Sequence, residues 1–237
     1  MNNKHIIDLW NEHTQQVIHC RKCLRLVAWR EEVARVKRRA FLSETYWGKP
    51  VPAFGDFKGK VLVVGLAPGA HGSNRTGRMF TGDASGDFLY AALHRVGLAN
   101  QSIARDKNDG LVLKNLMISA VCRCVPPGNK PTKDEIHNCL PFLKHEIDLI
   151  KPKGMVALGR VAFENLLMLY GKNLLFDSGQ KIEFHHDAFY QFGKKSPWLL
   201  ASYHPSRQNT QTGKLTEAMF DTIWNRVIQE LSFSGKE

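Results

Sequence analysis

The sequence predicts an α/β fold in which a parallel sheet is covered by helices on both faces. Short apolar runs at about Lys60–Gly65, Leu113–Val121, Met155–Leu158 and Trp198–Ser202 read as strands, continuous in the way of strands buried on both sides. Helical patterns separate them, which favours parallel crossovers over hairpins. The residues unlikely to serve packing alone come directly after the strands: a glycine-rich stretch, a Pro-Pro-Gly-Asn loop, Gly159-Arg160 and His204-Pro205-Ser206. In a parallel sheet those positions share one edge, where open α/β sheets bind ligands.

The elements follow in order. Residues Ile6 to Ile18 form a loosely amphipathic helix that ends at Cys20-Arg21-Lys22-Cys23. A basic helix from Val27 to Arg39 carries Arg30, Arg35, Lys37, Arg38 and Arg39, which a solvated face explains. A loop rich in aromatics, Pro and Gly, Tyr46–Gly59, leads to the first strand. Gly65–Asp87 then forms a long loop, G-L-A-P-G-A-H-G-S-N-R-T-G-R-M-F-T-G-D-A-S-G-D. Loops of this length inside a compact domain are uncommon and usually functional. Neither G-x-x-x-x-G-K-[ST] nor G-x-G-x-x-G occurs in it, so the common nucleotide readings are weak.

Asp87 is a plausible N-cap for a helix Phe88–Val96, with Gly97 near its end. After the second strand, Pro126, Pro127 and Pro131 exclude regular structure from the segment 122–131. Thr132 caps a helix Lys133–Ile150, with Glu135 at the capping-box position, and Lys151-Pro152-Lys153-Gly154 ends it. A helix Val161–Tyr170 follows the third strand. The stretch Gly171–Ser196 is polar and aromatic and suggests a ribbon. Beyond the fourth strand, a long loop to Gly213 precedes a terminal amphipathic helix, Leu215–Leu231.

Composition narrows the function. The chain has 237 residues, 43% of them hydrophobic, enough for one good core, so one domain spanning 1–237 is expected, with a cysteine-bearing N-terminal segment of about 1–45. A net charge of +11 suits a polyanion such as nucleic acid. No apolar run approaches the roughly 20 residues that span a bilayer, and no secretion signal opens the chain. A cytoplasmic location is therefore expected, without a membrane partner, and there disulfides are rare. The cysteines need another explanation. Cys20-x2-Cys23 and Cys124-x14-Cys139 supply two pairs of thiolates, fit for Zn²⁺ or an iron–sulfur cluster, and spacing does not choose between them. Cys122 is surplus and a credible substitute ligand.

Three segments together, 65–83, C-V-P-P-G-N-K-P-T (124–132) and H-P-S-R-Q-N-T-Q-T-G-K-L-T (204–216), closely resemble the type B, family five uracil-DNA glycosylases. With the cysteines, the resemblance covers about residues 10–230. It implies a three-layer α/β/α domain with a central four-stranded parallel sheet. It also implies a [4Fe-4S] cluster on Cys20, Cys23, Cys124 and Cys139, and excision of uracil, often also of hypoxanthine, from DNA. A monomer is expected.

By that resemblance His204 stabilises the departing uracil anion, Phe80 stacks on the flipped base, and Asp83 positions or activates water beside the cationic sugar. Asn129 is a second polar group near the sugar or base. Gly65, Leu66 and Ala67 line the substrate. Ser206 shapes its loop, while Arg75, Arg207 and Asn209 join the phosphate- or groove-contacting residues. Each has a plainer reading: packing for His204, a core ring for Phe80, a turn cap for Asp83 or Asn129. Arg75, Arg78, Arg123 and Arg160 could contact phosphate or simply face solvent. Where related glycosylases carry an acidic or amide residue after the first strand, this chain has Leu66 and Ala67. Ala120 stands where sister families place a base-reading Asn, so broader base tolerance is expected. A rival reading is a cluster-stabilised nucleic-acid-binding protein without activity. A second, a phosphate-binding nucleotide hydrolase, lacks a carboxylate cluster beyond Asp83 and Asp87.

Overall fold

The computed structural model describes residues 3–171, 182–193 and 196–233. Its centre is a six-stranded sheet of β1 (Phe54–Gly55), β2 (Val61–Gly65), β3 (Leu116–Ala120), β4 (Gly154–Leu158), β5 (Phe189–Gln191) and β6 (Trp198–Ser202), ordered β1-β3-β2-β4-β6-β5. The inner four, β3-β2-β4-β6, are parallel, as expected, and antiparallel β1 and β5 flank them.

Strand alternation divides the core into two layers. Val61, Val63, Ile118, Val156 and Leu200 face α4 (Ala84–Arg95) and α8 (Glu217–Phe233), meeting Leu89, Leu93, Phe220 and Trp224. Leu62, Val64, Met117, Met155 and Leu199 face α5 (Lys133–Ile150) and α6 (Arg160–Gly171), meeting Leu143, Ile147, Phe163 and Leu166. The result is the three-layer α/β/α arrangement. On the second face α1 (Asn3–Ile18) lies against α5 through His13, whose Nε2 is 3.3 Å from the buried carboxylate of Glu146. Helix α2 (Leu24–Val36) then returns towards the glycine loop, whose short helix α3 (Ser73–Thr76) meets it where Asn74 Nδ2 donates to the Arg30 carbonyl at 3.2 Å.

Several boundaries differ from expectation, each for a local reason. Helix α4, after the glycine loop, starts at Ala84 because Asp83, not Asp87, is its N-cap: Asp83 is extended and its Oδ1 accepts the Gly86 N–H at 3.1 Å. Helix α2 stops at Val36, since Lys37 adopts φ +60°. The second strand begins only at Leu116, after Asn115 at φ +59°; Leu113 instead forms an isolated bridge with Ala99. The loop after β6 contains a short helix, α7 (Arg207–Gln211), capped by Ser206. The expected ribbon at 171–196 falls partly on 172–181 and 194–195, outside the described residues; its described part supplies β5. The capping box forms as predicted, with Thr132 Oγ1 accepting the Glu135 N–H and the Glu135 carboxylate accepting the Thr132 N–H.

Candidate active site

The carboxyl ends of the parallel strands lie in register, Gly65 beside Ala120 and Leu158 beside Ser202. The order in which strands are added reverses between β2 and β4, which remain parallel: the crossover from β2 leads outward to β3, and the next returns past β2 to β4. Open α/β sheets bind ligands at such a switch point. Here Gly65 ends β2 and Gly159 follows β4.

Both glycines make room for aromatic rings. A Cβ on Gly65 would lie 2.8 Å from Phe80 Cζ, and one on Gly159 would lie 3.3 Å from His204 Cβ. Phe80, held at φ +51°, and His204 meet with ring centroids 5.9 Å apart and planes inclined at 30°. The glycine loop after β2 and the histidine after β6 therefore converge over the crevice. Asp83 belongs to the same loop, three residues beyond Phe80, and its Oδ2 occupies the space where side chains on Gly69 and Gly72 would go, 2.7 and 1.9 Å from their virtual Cβ positions. One carboxylate oxygen thus caps α4 while the other lies over the loop backbone.

Burial sets the charge states. Desolvation pushes the His204 pKa down to about 4, so its imidazole is neutral at physiological pH. Desolvation also raises the Asp83 pKa, opposed by the Gly86 and Ser85 N–H groups. A carboxylate so raised is a better proton acceptor than an exposed one.

The residues after His204 act on its backbone. Asn209 Nδ2 donates to the His204 carbonyl at 2.8 Å, and the Ser206 hydroxyl accepts the Asn209 N–H at 3.4 Å. Asn209 and Ser206, expected to meet DNA or shape the loop, hold the histidine's turn in place. Arg207 is exposed at the start of α7. From the other side, the Tyr203 N–H donates to His186 Nδ1 at 3.3 Å, a contact that sequence reasoning missed because His186 lies in a stretch without clear periodicity. Leu66 and Ala67 follow Gly65, half-buried. Ala120 is buried in the same layer as Phe80. Asn129 is exposed, at φ +58° on the turn Pro127–Asn129 that follows β3.

The arginines need correction. Arg75 is buried and all three guanidinium nitrogens are engaged: Nε donates to His71 O at 2.7 Å, Nη2 to Gly82 O at 3.2 Å, and Nη1 pairs with Glu44. Its plane also covers Phe41, 4.1 Å from the ring centroid. Arg78 is buried and forked onto Asp109 by two 2.7 Å bonds. Arg123 is buried and donates to Glu146 at 2.5 Å. These three brace the fold instead of facing phosphate; Arg160 alone of the four is exposed, near Glu164 and over Phe184. Arg30, placed by sequence on a solvated face, is 2% exposed.

Cys20, Cys23, Cys124 and Cys139 line one cavity with Leu26, Val27, Asn138 and Phe142. The Arg123 N–H donates to Cys139 Sγ at 3.2 Å, and Asn138 Nδ2 approaches Cys23 Sγ at 3.8 Å. Cys122 is fully buried in the core layer beneath. Among the described residues no three His, Cys, Asp or Glu side chains stand close enough to hold a single metal ion.

The architecture is a three-layer α/β/α fold with a ligand crevice at the carboxyl edge of its parallel strands, and comparison supplies the family. The chain belongs to the uracil DNA glycosylase superfamily, whose family model matches residues 52–228. Within that superfamily it is 50% identical to the "Type-5 uracil-DNA glycosylase" of Mycobacterium leprae over 215 residues, 90% of this chain and 92% of that one. It is 50% identical to the type-5 protein of Thermus thermophilus over 207 residues, 87% and 91% of the two chains. Similarity extends to the "Type-4 uracil-DNA glycosylase" of Sulfurisphaera tokodaii, 30% identical over 189 residues, 78% and 76% of the chains.

Proposed function

We propose that this chain is a uracil-DNA glycosylase whose hydrolytic site is the crevice edge carrying Phe80, Asp83 and His204. The observation that carries the reading is the convergence of Phe80 on His204 over Gly65 and Gly159, with the Asp83 carboxylate anchored in the same loop.

The chemistry follows from the charge states. A nucleotide swung out of the duplex brings its base against the exposed part of the Phe80–His204 pair. As the C1′–N bond breaks, its electron pair moves onto the base, and a neutral imidazole N–H donates a hydrogen bond to the oxygen that gains charge. A cationic imidazole is not required, consistent with a pKa near 4. The sugar becomes cationic, and a water delivers its oxygen to C1′ while Asp83 Oδ2, the oxygen not engaged by Gly86, takes the proton. Ala120 offers only a methyl group at the end of β3, a position from which a side-chain amide would select one base edge. The site should therefore also release hypoxanthine.

The cysteine cavity suits a [4Fe-4S] cluster. Four cysteines line one cavity, and cysteine thiolates are the donors such clusters use. Bound there, the cluster would cross-link the N-terminal segment to the loop before Asn129, a structural role. Among the described residues no helix is long and apolar enough to cross a membrane. We assign the enzyme to the cytoplasm as a monomer acting on DNA that contains uracil or other deaminated bases.

Incubation with a duplex containing one uracil, followed by alkali, tests the reading. Strand scission at the uracil is expected, with at least a hundredfold loss of rate in His204→Ala; binding without scission would instead establish the non-catalytic DNA-binding alternative. A parallel duplex containing hypoxanthine should also be cut, and its complete resistance would refute the broader range.

A further inference from the structure

Helix α2 carries a cation where none is expected. Arg30 is 2% exposed, and its Nη1 donates to Cys124 Sγ at 3.0 Å and to the Cys20 carbonyl at 3.3 Å. The carboxylate it approaches, Glu31, is 3.7 Å away and itself 46% exposed. Burying a guanidinium is costly unless an anion faces it, and a neutral thiol is a weak acceptor. Its Nε has no partner among the described residues either. Arg123, 1% exposed and lining the same cavity, likewise keeps Nε and Nη1 buried without partners among the described residues, although Nη2 is bound to Glu146. Two buried cations with orphaned donors thus flank four cysteines.

We propose that Arg30, reinforced by Arg123, is the charge-compensating partner of an anionic iron–sulfur centre on Cys20, Cys23, Cys124 and Cys139. The role rests on the cluster reading above and adds residues outside the ligand set. Four thiolates around a cluster leave net negative charge in a cavity of low polarity. The Arg30 guanidinium offsets that charge while its Nη1 joins the two segments that bear the ligands, donating to both Cys20 O and Cys124 Sγ. An N–H donor and a positive charge beside cluster sulfur favour the more reduced, more negative state. Arg30 therefore both retains the centre and raises its potential.

Four proteins decide the matter: wild type, Arg30→Met, Arg30→Lys and, as an exposed control on the same helix, Arg35→Met. Iron and acid-labile sulfide per chain, release of iron to a chelator and the reduction midpoint are measured on each. Arg30→Met should release iron at least tenfold faster and shift the midpoint negative by about 59 mV, a tenfold change for one electron. Arg30→Lys should lie between it and wild type, and Arg35→Met should match wild type. If Arg30→Met is insoluble, Arg30→Gln, a donor without charge, is read in its place with the same expectation. Unchanged release and midpoint in the neutral variants overturn the role of Arg30 while leaving the cluster intact. A wild type that carries zinc or no metal overturns the centre itself, and this role with it.

Discussion

Asp83 meets two demands with its two oxygens, one on the Gly86 N–H at the start of α4 and one over Gly69 and Gly72. The demands can be separated because asparagine caps a helix about as well as aspartate. Asp83→Asn should change stability by less than about 1 kcal/mol yet lower kcat about a hundredfold or more, the range typical of a lost general base. Asp83→Ala should lose the cap as well. Chemical denaturation beside single-turnover rates measures both, and an active Asp83→Asn would refute the base role. At His204 the sign of the pH effect is fixed by burial. Its folded pKa of about 4 lies below the ordinary 6.5, so the unfolded chain binds the proton first as pH falls. This group's contribution leaves stability intact above about pH 6.5 and erodes it down to about pH 4. The imidazole signals of His204 should not titrate between pH 8 and 5.5 by NMR; a midpoint near 6.5 would contradict the neutral donor. Sequence made both residues visible, because each follows a strand in a distinctive motif. It could not show that Asp83 caps and Asp87 does not, since Ala84-Ser85-Gly86 carries no apolar signal of a helix start.

At the scale of elements, α5 ties the cysteine region to the sheet. Thr132 and Glu135 close its first turn, and Glu135 is forked by Arg25 of α2 through two 2.7 Å bonds. Thr132→Ala should cost about 1 kcal/mol and lower Tm by roughly 2–4 °C in a chain of this size, measured by thermal melting, without changing uracil excision. Long helices and inner strands were legible from periodicity and caps. Helix α7 was not, because Arg207-Gln208-Asn209-Thr210-Gln211 has no apolar face to reveal it. Strand β1 was missed for a different reason, since two residues cannot display alternation, and β5, which lies within the expected ribbon, is too short for its bounds to be read. The arginines defeat sequence reading more thoroughly. Arg75 and Arg78 find Glu44 and Asp109 each 31 residues away, and only the folded loop brings those carboxylates within reach.

For the whole molecule, the net charge of +11 overstates the cations available to DNA in one respect, since Arg30, Arg75, Arg78 and Arg123 are spent inside the fold. The exposed Arg207, beside the turn that holds His204, is a better candidate for phosphate. Arg207→Ser should reduce the slope of log affinity against log salt by about 0.9, whereas Arg78→Ser should leave the slope unchanged and destabilise the fold. Fluorescence titration at several salt concentrations distinguishes them, and an unaltered slope in Arg207→Ser would remove that contact.

The flanking strands have a consequence of their own. Because β1 contributes two residues and β5 three, each lateral border of the sheet offers too little backbone to template another chain. Copies of the protein that meet at high concentration are thereby kept from pairing edge to edge into fibres.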